Sequence, residues 1–413
     1  MIAEIISIGD ELLTGSTVNT NASFIGKELT QNGMEVGWIS TVGDQTDRIL
    51  STLALAVSRA DVIILTGGLG PTHDDITRQV ISQYFNLPLV FQPEIYQKLE
   101  TYFHSRGRVL SPLNRVQAEI PQGAEVLENR IGTASGFYLC IKKMHVFVLP
   151  GVPMEMRKMM QESVLRRLLH LFPGNVHLTK TLNTIGISES TLNEKFKSFD
   201  NQFPNVQLAS LPNQRGVSLR LSIIVSERIS DESLFQQAIE FTREAAGRYL
   251  YGEDDDTLEA VVGRLLLKRN WSIAVAESCT GGLISHLLTN IPGSSSYFER
   301  GYVTYSNQSK IDLLQVPESI IQKHGAVSSE TALAMAEGIL KVSNVDVGLS
   351  ITGIAGPTGG TREKPVGLVY IGYADKNQTA VEKYIFTQDR MMNKTRSAGY
   401  ALDFARRMLQ DSA

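Results

Sequence analysis

The segment Ala276-Glu277-Ser278-Cys279-Thr280-Gly281-Gly282-Leu283 joins a predicted strand, Ser272–Ala276, to a predicted helix, Gly282–Leu288. A hydroxyl and a thiol lie on this turn, and its two glycines allow backbone conformations that are closed to other residues. The exposed N–H groups at the start of a helix stabilise negative charge. The turn therefore predicts either an oxyanion hole beside a nucleophile or a cradle for phosphate, and the turn alone does not separate the two.

The flanking sequence places this turn in a predicted α/β domain over residues 257–413. Helical periodicity and short β-rich runs alternate there. The predicted elements are helices Leu258–Lys268, Ser329–Val342 and Met392–Leu409, strand Val347–Ile351, and a hairpin of Val366–Tyr373 with Thr379–Phe386. Residues 301–310 are expected to form a polar loop.

Another α/β domain is predicted over residues 1–170. Its predicted strands are Ile2–Ile8, Val36–Val42, Val62–Thr66 and Val146–Leu149, and its predicted helices are Asn21–Gln31, Asp47–Arg59, Ile76–Phe85 and Met154–Leu169. Short β-rich runs between helices indicate a doubly wound parallel sheet with helices on both faces. Ligands of such sheets bind at the carboxyl ends of the strands.

A small α+β domain is predicted between these two, over residues 175–251. Its predicted strands are Val176–Asn183 and Val217–Val225, and its predicted helices are Ser188–Phe199 and Asp231–Gly247. The acidic run Glu253–Asp256 follows and is interpreted as a solvated domain boundary.

The composition limits the possible functions. A chain of 413 residues suits two or three domains, and 42% hydrophobic with 20% charged residues is ordinary globular material. A net charge of −4 without a basic cluster makes nucleic acid an unlikely partner. Cys140 and Cys279 are too few and too far apart to predict a disulfide framework or a thiolate metal site. With no apolar span or leader evident, we expect a cytoplasmic protein without membrane contact.

Four predicted strand ends in the N-terminal domain carry glycine, which indicates a ligand site at one edge of the sheet. Glycine amides and hydroxyls there suit phosphate, and the nearby carboxylates suit a divalent metal ion. The predicted nucleotide-binding residues are Gly9, Asn21, Thr66, Gly67, Gly68, Gly70, Pro71, Thr72, Gly151 and Glu155. Asp44 and Asp75 are the preferred metal ligands, ahead of Asp10 and Asp74. Alternatively, Asp74 or Asp75 only caps helix Ile76–Phe85.

Further motifs accompany the Ser278 turn. Gly301–Lys310 contains Tyr305 and Lys310, Thr352–Gly360 forms another glycine-rich turn, and Asp389-Arg390 precedes the last helix. A serine can be activated by a neutral lysine as well as by histidine. Such a lysine must be desolvated or lie beside another cation.

Together the segments Ala276–Leu283, Gly301–Lys310, Gly325–Ser328, Thr352–Pro357 and Lys364–Gly367 resemble the C-terminal domain of the CinA family. That domain is known as nicotinamide mononucleotide amidohydrolase. The resemblance implies that Ser278 is the nucleophile and Lys310 its general base, with Tyr305 and Thr280 as supporting hydroxyls and without a cofactor. It further implies substrate binding by Gly281, Gly282, Thr352, Gly353, Ala355 and Gly356, and phosphate binding by Arg390.

Each of these assignments has an alternative. Ser278 can serve as an ordinary helix N-cap, Cys279 is a rival nucleophile, and Arg390 can be an ordinary capping or ion-paired arginine. Without the family pattern, Lys310 would be a solvated surface lysine.

The N-terminal domain resembles the molybdopterin-binding fold of molybdenum-cofactor biosynthesis proteins and of the CinA N-terminal domain, on Thr66–Asp75 and Pro150–Met156. For the CinA branch this implies an ADP-ribose pyrophosphatase that depends on Mg²⁺, Mn²⁺ or Co²⁺. The middle domain is similar to the KH-type domain of full-length CinA proteins. It contains no GxxG loop, so we interpret it as a spacer or dimerisation element, and we expect a homodimer.

The sequence thus predicts a bifunctional hydrolase acting on nicotinamide mononucleotide and ADP-ribose. The main alternative is a pterin- or nucleotide-binding protein with one or both sites inactive. A nucleic-acid-associated role finds no support in charge or motifs.

Overall fold

The computed structural model describes residues 1–172, 176–225 and 228–411. The predicted domain limits at residues 175 and 413 lie outside these ranges. The chain divides into two compact units. The first covers the described part of residues 1–178 together with Ile224 and Val225, which end a later strand. The second covers most of the other described residues. In the part of the chain that the structure describes, no helix is both long and apolar enough to cross a membrane.

The first unit is an α/β domain with eight strands among the described residues. The strands are β1 Ile2–Ile8, β2 Glu35–Val42, β3 Val62–Thr66, β4 Leu89–Phe91, β5 Glu119–Pro121, β6 Glu125–Leu127, β7 Gly136–Ile141 and β8 Met144–Leu149. The helices are α1 Asp10–Leu13, α2 Thr20–Gln31, α3 Thr46–Arg59, α4 Thr77–Phe85, α5 Pro93–His104, α6 Pro153–Met159 and α7 Leu165–Leu171, with a π-helical turn at Met160–Val164 and a 3₁₀ helix at Pro112–Ala118.

The main sheet of this unit has the strand order β2-β1-β3-β8-β7-β6. The predicted parallel sheet is confirmed for β2, β1, β3 and β8, whereas β7 and β6 are antiparallel additions at one edge. The short turn between β7 and β8, with Lys142 at φ 58°, allows only antiparallel pairing. Alternate residues of β1 enter two separate cores, Ile6 on one face and Ile5 on the other. This confirms a sheet covered on both faces.

The middle segment forms a four-stranded sheet in the order β10-β11-β9-β12. Its elements are β9 Val176–Ile185, α8 Glu189–Lys195, α9 Phe199–Gln202, β10 Gln207–Pro212, β11 Gly216–Val225, α10 Arg228–Ala246 and β12 Leu250–Glu253. The sequence missed the strands β10 and β12, and the single helix predicted at Ser188–Phe199 is two short helices. The acidic run after β12 is also not merely solvated, because Glu253 pairs with Lys180 at 2.7 Å and Asp256 with Arg264 at 2.8 Å.

The C-terminal segment folds around a five-stranded sheet in the order β14-β13-β15-β16-β17. The strands are β13 Ile273–Glu277, β14 Phe298–Val303, β15 Val347–Gly353, β16 Leu368–Asp375 and β17 Thr379–Ile385. The helices are α11 Leu258–Arg269, α12 Leu283–Thr289, α13 Asn307–Leu314, α14 Glu318–His324, α15 Ser329–Ser343 and α16 Arg390–Asp411. The polar loop predicted at residues 301–310 is wrong, since most of it is the end of β14 and the start of α13.

The middle and C-terminal segments share one hydrophobic core. Ile185, at the end of β9, packs in the cluster that includes Leu258 of α11 and Leu402 of α16. Polar contacts reinforce this packing, because Arg215 pairs with Glu259 at 3.0 Å and the Arg406 guanidinium donates to the Arg248 carbonyl at 2.8 Å. The middle segment is therefore packed against the C-terminal domain and is not a free spacer.

Candidate active sites

The Ser278 turn lies at the carboxyl end of the central strand β13. The Ser278 N–H donates to the Ile351 carbonyl at 3.0 Å, which fixes the start of the turn against the neighbouring strand β15. Gly281 (φ 63°) and Gly282 (φ 93°) then adopt left-handed backbone conformations that glycine permits. Gly282 is the N-cap of α12 and no side chain caps the helix from that position, so Ser278 is not the helix N-cap.

Lys310 lies beside Ser278, with 3.2 Å between its Nζ and the Ser278 Oγ. It occupies the first turn of α13, which Ser306 caps by accepting from the Ser309 N–H at 3.0 Å. Both side chains are buried, with relative exposures of 1% for Lys310 and 8% for Ser278. The Lys310 ammonium also donates to the Thr304 carbonyl at 2.7 Å, and this bond orients it. The alternative of a solvated surface lysine is wrong.

Burial also changes the acidity of Lys310. Desolvation disfavours the charged form and lowers the pKa of Lys310 from 10.5 to about 8. No described carboxylate pairs with the ammonium group to offset this effect. A sizeable neutral fraction is therefore present near neutral pH, which is what a lysine general base requires.

The side chain of Glu277, the residue immediately before Ser278, caps the start of α12. Its buried carboxylate accepts from the backbone N–H groups of Gly282 at 3.0 Å, Ile284 at 3.1 Å and Ser285 at 2.8 Å, and from the Ser285 hydroxyl at 2.7 Å. These amides are the ones that a bound anion would need. The phosphate cradle that the turn allowed is therefore excluded at this helix end, and Gly282 is not an oxyanion donor.

Two amides of the turn, those of Cys279 and Thr280, donate to no oxygen of the described residues and lie against the Cys279 thiol. They directly follow the nucleophile, which is the usual place for one oxyanion-hole donor in serine hydrolases built on a strand–turn–helix element. The Thr280 hydroxyl is fully buried and also lacks a partner within the described structure.

Cys279 is a poor rival to Ser278. Its thiol is 7% exposed, and burial, with a smaller contribution from Glu277, raises the pKa of Cys279 to about 12. A thiol at that pKa carries almost no thiolate at neutral pH.

Arg390 and Tyr305 form one side of the site. The Arg390 guanidinium donates to the Gly356 carbonyl at 2.7 Å and to the Tyr305 hydroxyl at 3.4 Å. Asn393 holds the same glycine-rich turn through the Ala355 carbonyl at 3.0 Å. The sequence left open that Arg390 is an ordinary ion-paired arginine. Among the described residues, however, Arg390 forms no ion pair with a carboxylate.

The Thr352–Gly356 turn offers few free hydrogen-bond donors, because the Thr352 hydroxyl and the Ile354 N–H are already bonded within the protein. The Thr352 hydroxyl is buried and donates to the Ala326 carbonyl at 2.7 Å. Gly353 belongs to β15 and pairs with Val369. The Ile354 N–H donates to the Leu368 carbonyl at 2.9 Å. The Ile354 N–H is therefore not available to an oxyanion.

In the N-terminal unit, four strand ends meet in a cleft of about 370 Å³. Its lining contains nine of the predicted residues, namely Gly9, Asp44, Gly67, Gly68, Gly70, Pro71, Asp75, Gly151 and Glu155. Three others lie outside the lining. Asn21 holds the cleft wall by donating to the Gly151 carbonyl at 2.7 Å, Thr66 is buried in β3, and Thr72 donates to the Asp75 carboxylate.

Sharp backbone turns build the glycine-rich wall. Gly67 has φ 108°, and a methyl group at this position would stand 2.2 Å from the Ile8 carbonyl oxygen, so only glycine fits. The buried Arg78 then supports the loop from behind, donating to the carbonyls of Leu69 at 2.7 Å and Gly70 at 2.8 Å. Burial lowers the pKa of Arg78 to about 10.

Five carboxylates line this cleft, and none of its described lining residues is a lysine or an arginine. They are Glu11, Asp44, Asp74, Asp75 and Glu155. Burial raises the pKa of Asp44, and the charges of Asp10, Glu11 and Asp74 raise it further. Asp75 does not cap α4, whose N-cap is Ile76, but accepts from the Thr72 N–H at 2.9 Å. Asp10 lies outside the lining and accepts from the Asp44 N–H at 3.2 Å.

A preformed metal chelate is not evident. Within the described ranges, no group of three or more histidine, cysteine, aspartate or glutamate side chains is placed to hold a metal ion. One or two carboxylates are nevertheless enough for Mg²⁺ when phosphate oxygens and water complete its shell. The acidic cleft, with no lysine or arginine among its described lining residues, fits that kind of loosely held ion.

Comparison with known proteins gives a consistent assignment of the domains. The family model for the CinA C-terminal domain matches residues 255–409, that for a probable molybdopterin binding domain residues 4–170, and that for the damage-inducible protein CinA KH domain residues 179–252. A CinA-like protein of Chloroherpeton thalassium is 45% identical over 423 residues, covering 100% of both chains. The chain belongs to the CinA family. A CinA-like protein of Dictyoglomus thermophilum is 41% identical over 409 residues, 99% of each chain.

Solved structures of the CinA family match one part of the chain each. A competence-damaged protein (CinA) superfamily protein of Klebsiella pneumoniae is 30% identical, covers 37% of this chain and 96% of its own, and has a TM-score of 0.37. The competence/damage inducible protein of Agrobacterium tumefaciens is 36% identical, with coverages of 38% and 97% and a TM-score of 0.36.

Sequence reasoning missed several residues of this CinA chain that shape the sites. Lys394 lies over the Ser278 turn, because a methyl group on Gly281 would stand 3.6 Å from its Nζ. Gln117 lines the N-terminal cleft with a buried amide nitrogen that has no partner among the described residues. Lys394 follows Arg390 by one helical turn, a spacing that was visible in the sequence, whereas nothing near Gln117 pointed to the cleft.

Proposed function

We propose that the C-terminal domain hydrolyses the carboxamide of nicotinamide mononucleotide, giving nicotinate mononucleotide and ammonia. The observation that carries this proposal is the contact of 3.2 Å between Ser278 Oγ and a buried Lys310 Nζ whose pKa is about 8. A serine beside a partly neutral lysine is a nucleophile with its own base. The resemblance of this domain to the CinA amidohydrolase supplies the substrate.

The reaction follows acyl transfer to serine. Neutral Lys310 takes the Ser278 proton while Oγ attacks the carboxamide carbon, and the carbonyl π electrons move onto oxygen. As the tetrahedral intermediate collapses, Lys310 returns the proton to the leaving nitrogen and ammonia departs. Water then attacks the resulting ester with Lys310 again as base, releasing the carboxylate and restoring Ser278.

The amides of Cys279 and Thr280, which donate to no oxygen of the described residues, are our candidates for the oxyanion donors. A well-placed donor of this kind lowers the barrier by about 3 kcal/mol. Glu277 already occupies the amides of Gly282, Ile284 and Ser285, so these three do not compete for the oxyanion.

Ammonia release from nicotinamide mononucleotide, measured without added metal, tests this function. We expect turnover by the wild type, loss of it in Ser278→Ala and Lys310→Ala, and retention in Cys279→Ala, which is the matched control at the adjacent position. A folded wild type that releases no ammonia refutes the deamidase function and favours the binding-protein alternative.

For the N-terminal domain we propose hydrolysis of ADP-ribose to AMP and ribose 5-phosphate with a divalent ion. The cleft of five carboxylates and no basic lining residue supports this, since a phosphoanhydride enters such a cleft only with its charge neutralised. Asp44 and Asp75 are the proposed ligands, and the ion would neutralise phosphate charge.

AMP formation with Mg²⁺, Mn²⁺ or Co²⁺ and with chelator tests the second activity. We expect loss of AMP formation in Asp44→Asn and Asp75→Asn, with Asp47→Asn on the exposed side of α3 as control. Ammonia release should be unchanged in all three variants. Metal-independent hydrolysis, or full activity in both cleft variants, contradicts the proposed ligands.

A further inference from the structure

Besides Lys310, the C-terminal site has two cations that no carboxylate of the described residues neutralises. Arg390 and Lys394 are four residues apart on α16, so their side chains project from the same face of the helix. Neither forms an ion pair with a carboxylate of the described chain, and Lys394 makes no hydrogen bond there. Most other basic side chains close to this domain's core, such as Arg406 and Arg407, pair with Asp403 or Glu382.

Both cations lie beside the nucleophile turn. The Lys394 ammonium stands over Gly281, 3.6 Å from where a methyl group on that glycine would be. The Gly281 N–H in turn donates to the Ser278 carbonyl at 3.2 Å. Arg390 contacts the hydroxyl of Tyr305, whose backbone carbonyl accepts from Lys310 at 3.5 Å. The two charges therefore border the Ser278–Lys310 pair.

The helix dipole of α12 does not serve as an anion site, because Glu277 occupies its amides. A carboxylate at that position also repels a second anion. Apart from Lys310 itself, the cations that border Ser278 without a carboxylate partner among the described residues are therefore Arg390 and Lys394.

We propose that Lys394 is a specificity-determining residue that joins Arg390 in holding the phosphate of the substrate. A phosphomonoester carries close to two negative charges at neutral pH, which two cations match. Arg390 offers a planar fork that its contact with the Gly356 carbonyl holds in place, and Lys394 adds a compact point charge from the next turn of the same helix face. This inference rests on the proposed deamidation.

The test compares nicotinamide mononucleotide with nicotinamide riboside, the same amide without phosphate. The measured quantity is the ratio of kcat/KM for the two substrates. We expect Lys394→Ala and Lys394→Gln to lower this ratio by about tenfold or more, mainly through a higher KM for the mononucleotide. Lys394→Arg should keep most of the ratio. Arg396→Ala, a cation two residues along the same helix and on another face, is the matched control and should keep the full ratio.

Two results overturn the inference. One is an unchanged ratio in Lys394→Ala while the wild type discriminates between the substrates. The other is an equal fall for both substrates, which indicates a structural role. Should the wild type deamidate neither compound, the proposed function fails by itself, and calorimetric titration with ribose 5-phosphate decides the inference. Binding that weakens about tenfold in Lys394→Ala but not in Arg396→Ala supports it, and absence of wild-type binding or equal binding overturns it.

Discussion

Replacing Lys310 by methionine should make the protein more stable at neutral pH while removing its proposed deamidase activity. Lys310 is 1% exposed, and its folded pKa is lowered from 10.5 to about 8. The unfolded chain therefore binds a proton between pH 8 and pH 10.5 that the folded chain has released. In this window the free energy of unfolding of the wild type rises with pH, and below pH 8 the full cost of burying the charge is present.

The size of the Lys310 pKa shift determines the expected change in the free energy of unfolding. At about 1.4 kcal/mol per pKa unit, lowering the pKa from 10.5 to about 8 costs the folded wild type about 3 kcal/mol at pH 7. Methionine has similar length and no charge, so it removes this cost. It also leaves the Thr304 carbonyl without its donor, a loss of about 1 kcal/mol. The expected net gain is about 2 kcal/mol at pH 7, falls to zero near pH 10, and becomes a net loss of about 1 kcal/mol above pH 10.5, where only the missing hydrogen bond remains.

Denaturant unfolding of both proteins at pH 7, 8, 9 and 10 measures this difference. Ser278→Ala is the matched control, since it removes the partner hydroxyl without changing a titrating charge, and its effect on stability should not depend on pH. A Lys310→Met variant that is less stable than the wild type at pH 7, or whose stability difference stays constant from pH 7 to pH 10, refutes the reasoning. Such a result would mean that Lys310 is not held in a desolvated state.

Three other predictions concern residues around the two sites. The kcat/KM for ammonia release should rise with pH and then level off, with the midpoint of the rise at about pH 8, because only neutral Lys310 accepts the Ser278 proton. A flat profile from pH 6 to pH 9 contradicts this assignment. Glu277→Ala should lower the free energy of unfolding by at least about 3 kcal/mol, since three backbone amides lose their acceptor, whereas Ser285→Ala should cost only about 1 kcal/mol in the same denaturation assay. Gly67→Ala should abolish ADP-ribose hydrolysis and leave ammonia release unchanged, because its methyl group would stand 2.2 Å from the Ile8 carbonyl oxygen, and normal AMP formation by this variant would show that the loop tolerates a side chain.

The sequence predicted the parts of the sites that depend on local pattern. Strands that end in glycine place Gly67 and Gly151 on one edge of a sheet, and the structure brings them together in one cleft. The sequence alone could not show that Lys310 is buried, because α13 begins with polar residues and the burial comes from the chain folded over it. It also could not show the order of the antiparallel edge strands, which depends on a short turn at Lys142.

The role of Glu277 shows most clearly why such contacts escape a sequence pattern. An acidic residue before a serine has no periodic signal, and its function depends on a chain reversal that brings its carboxylate to the amides of α12. Only the folded backbone determines that this carboxylate, and not a substrate phosphate, occupies the helix start.

The position of Glu277 also separates the proposed phosphate binding from the proposed oxyanion stabilisation, which would otherwise compete for the turn between β13 and α12. If the start of α12 bound the phosphate, that end of the substrate would occupy the turn where the carboxamide has to meet Ser278. With Glu277 fixed there by four hydrogen bonds, the oxyanion can use the amides of Cys279 and Thr280. In the proposed deamidase, the substrate phosphate is then left to the cations of α16. A Glu277→Gln variant tests this division, because its amide removes the negative charge and keeps similar size. If the carboxylate excludes phosphate from the turn, Glu277→Gln should bind ribose 5-phosphate at least as tightly as the wild type while deamidating nicotinamide mononucleotide more slowly. Weaker binding together with unchanged deamidation would contradict the division.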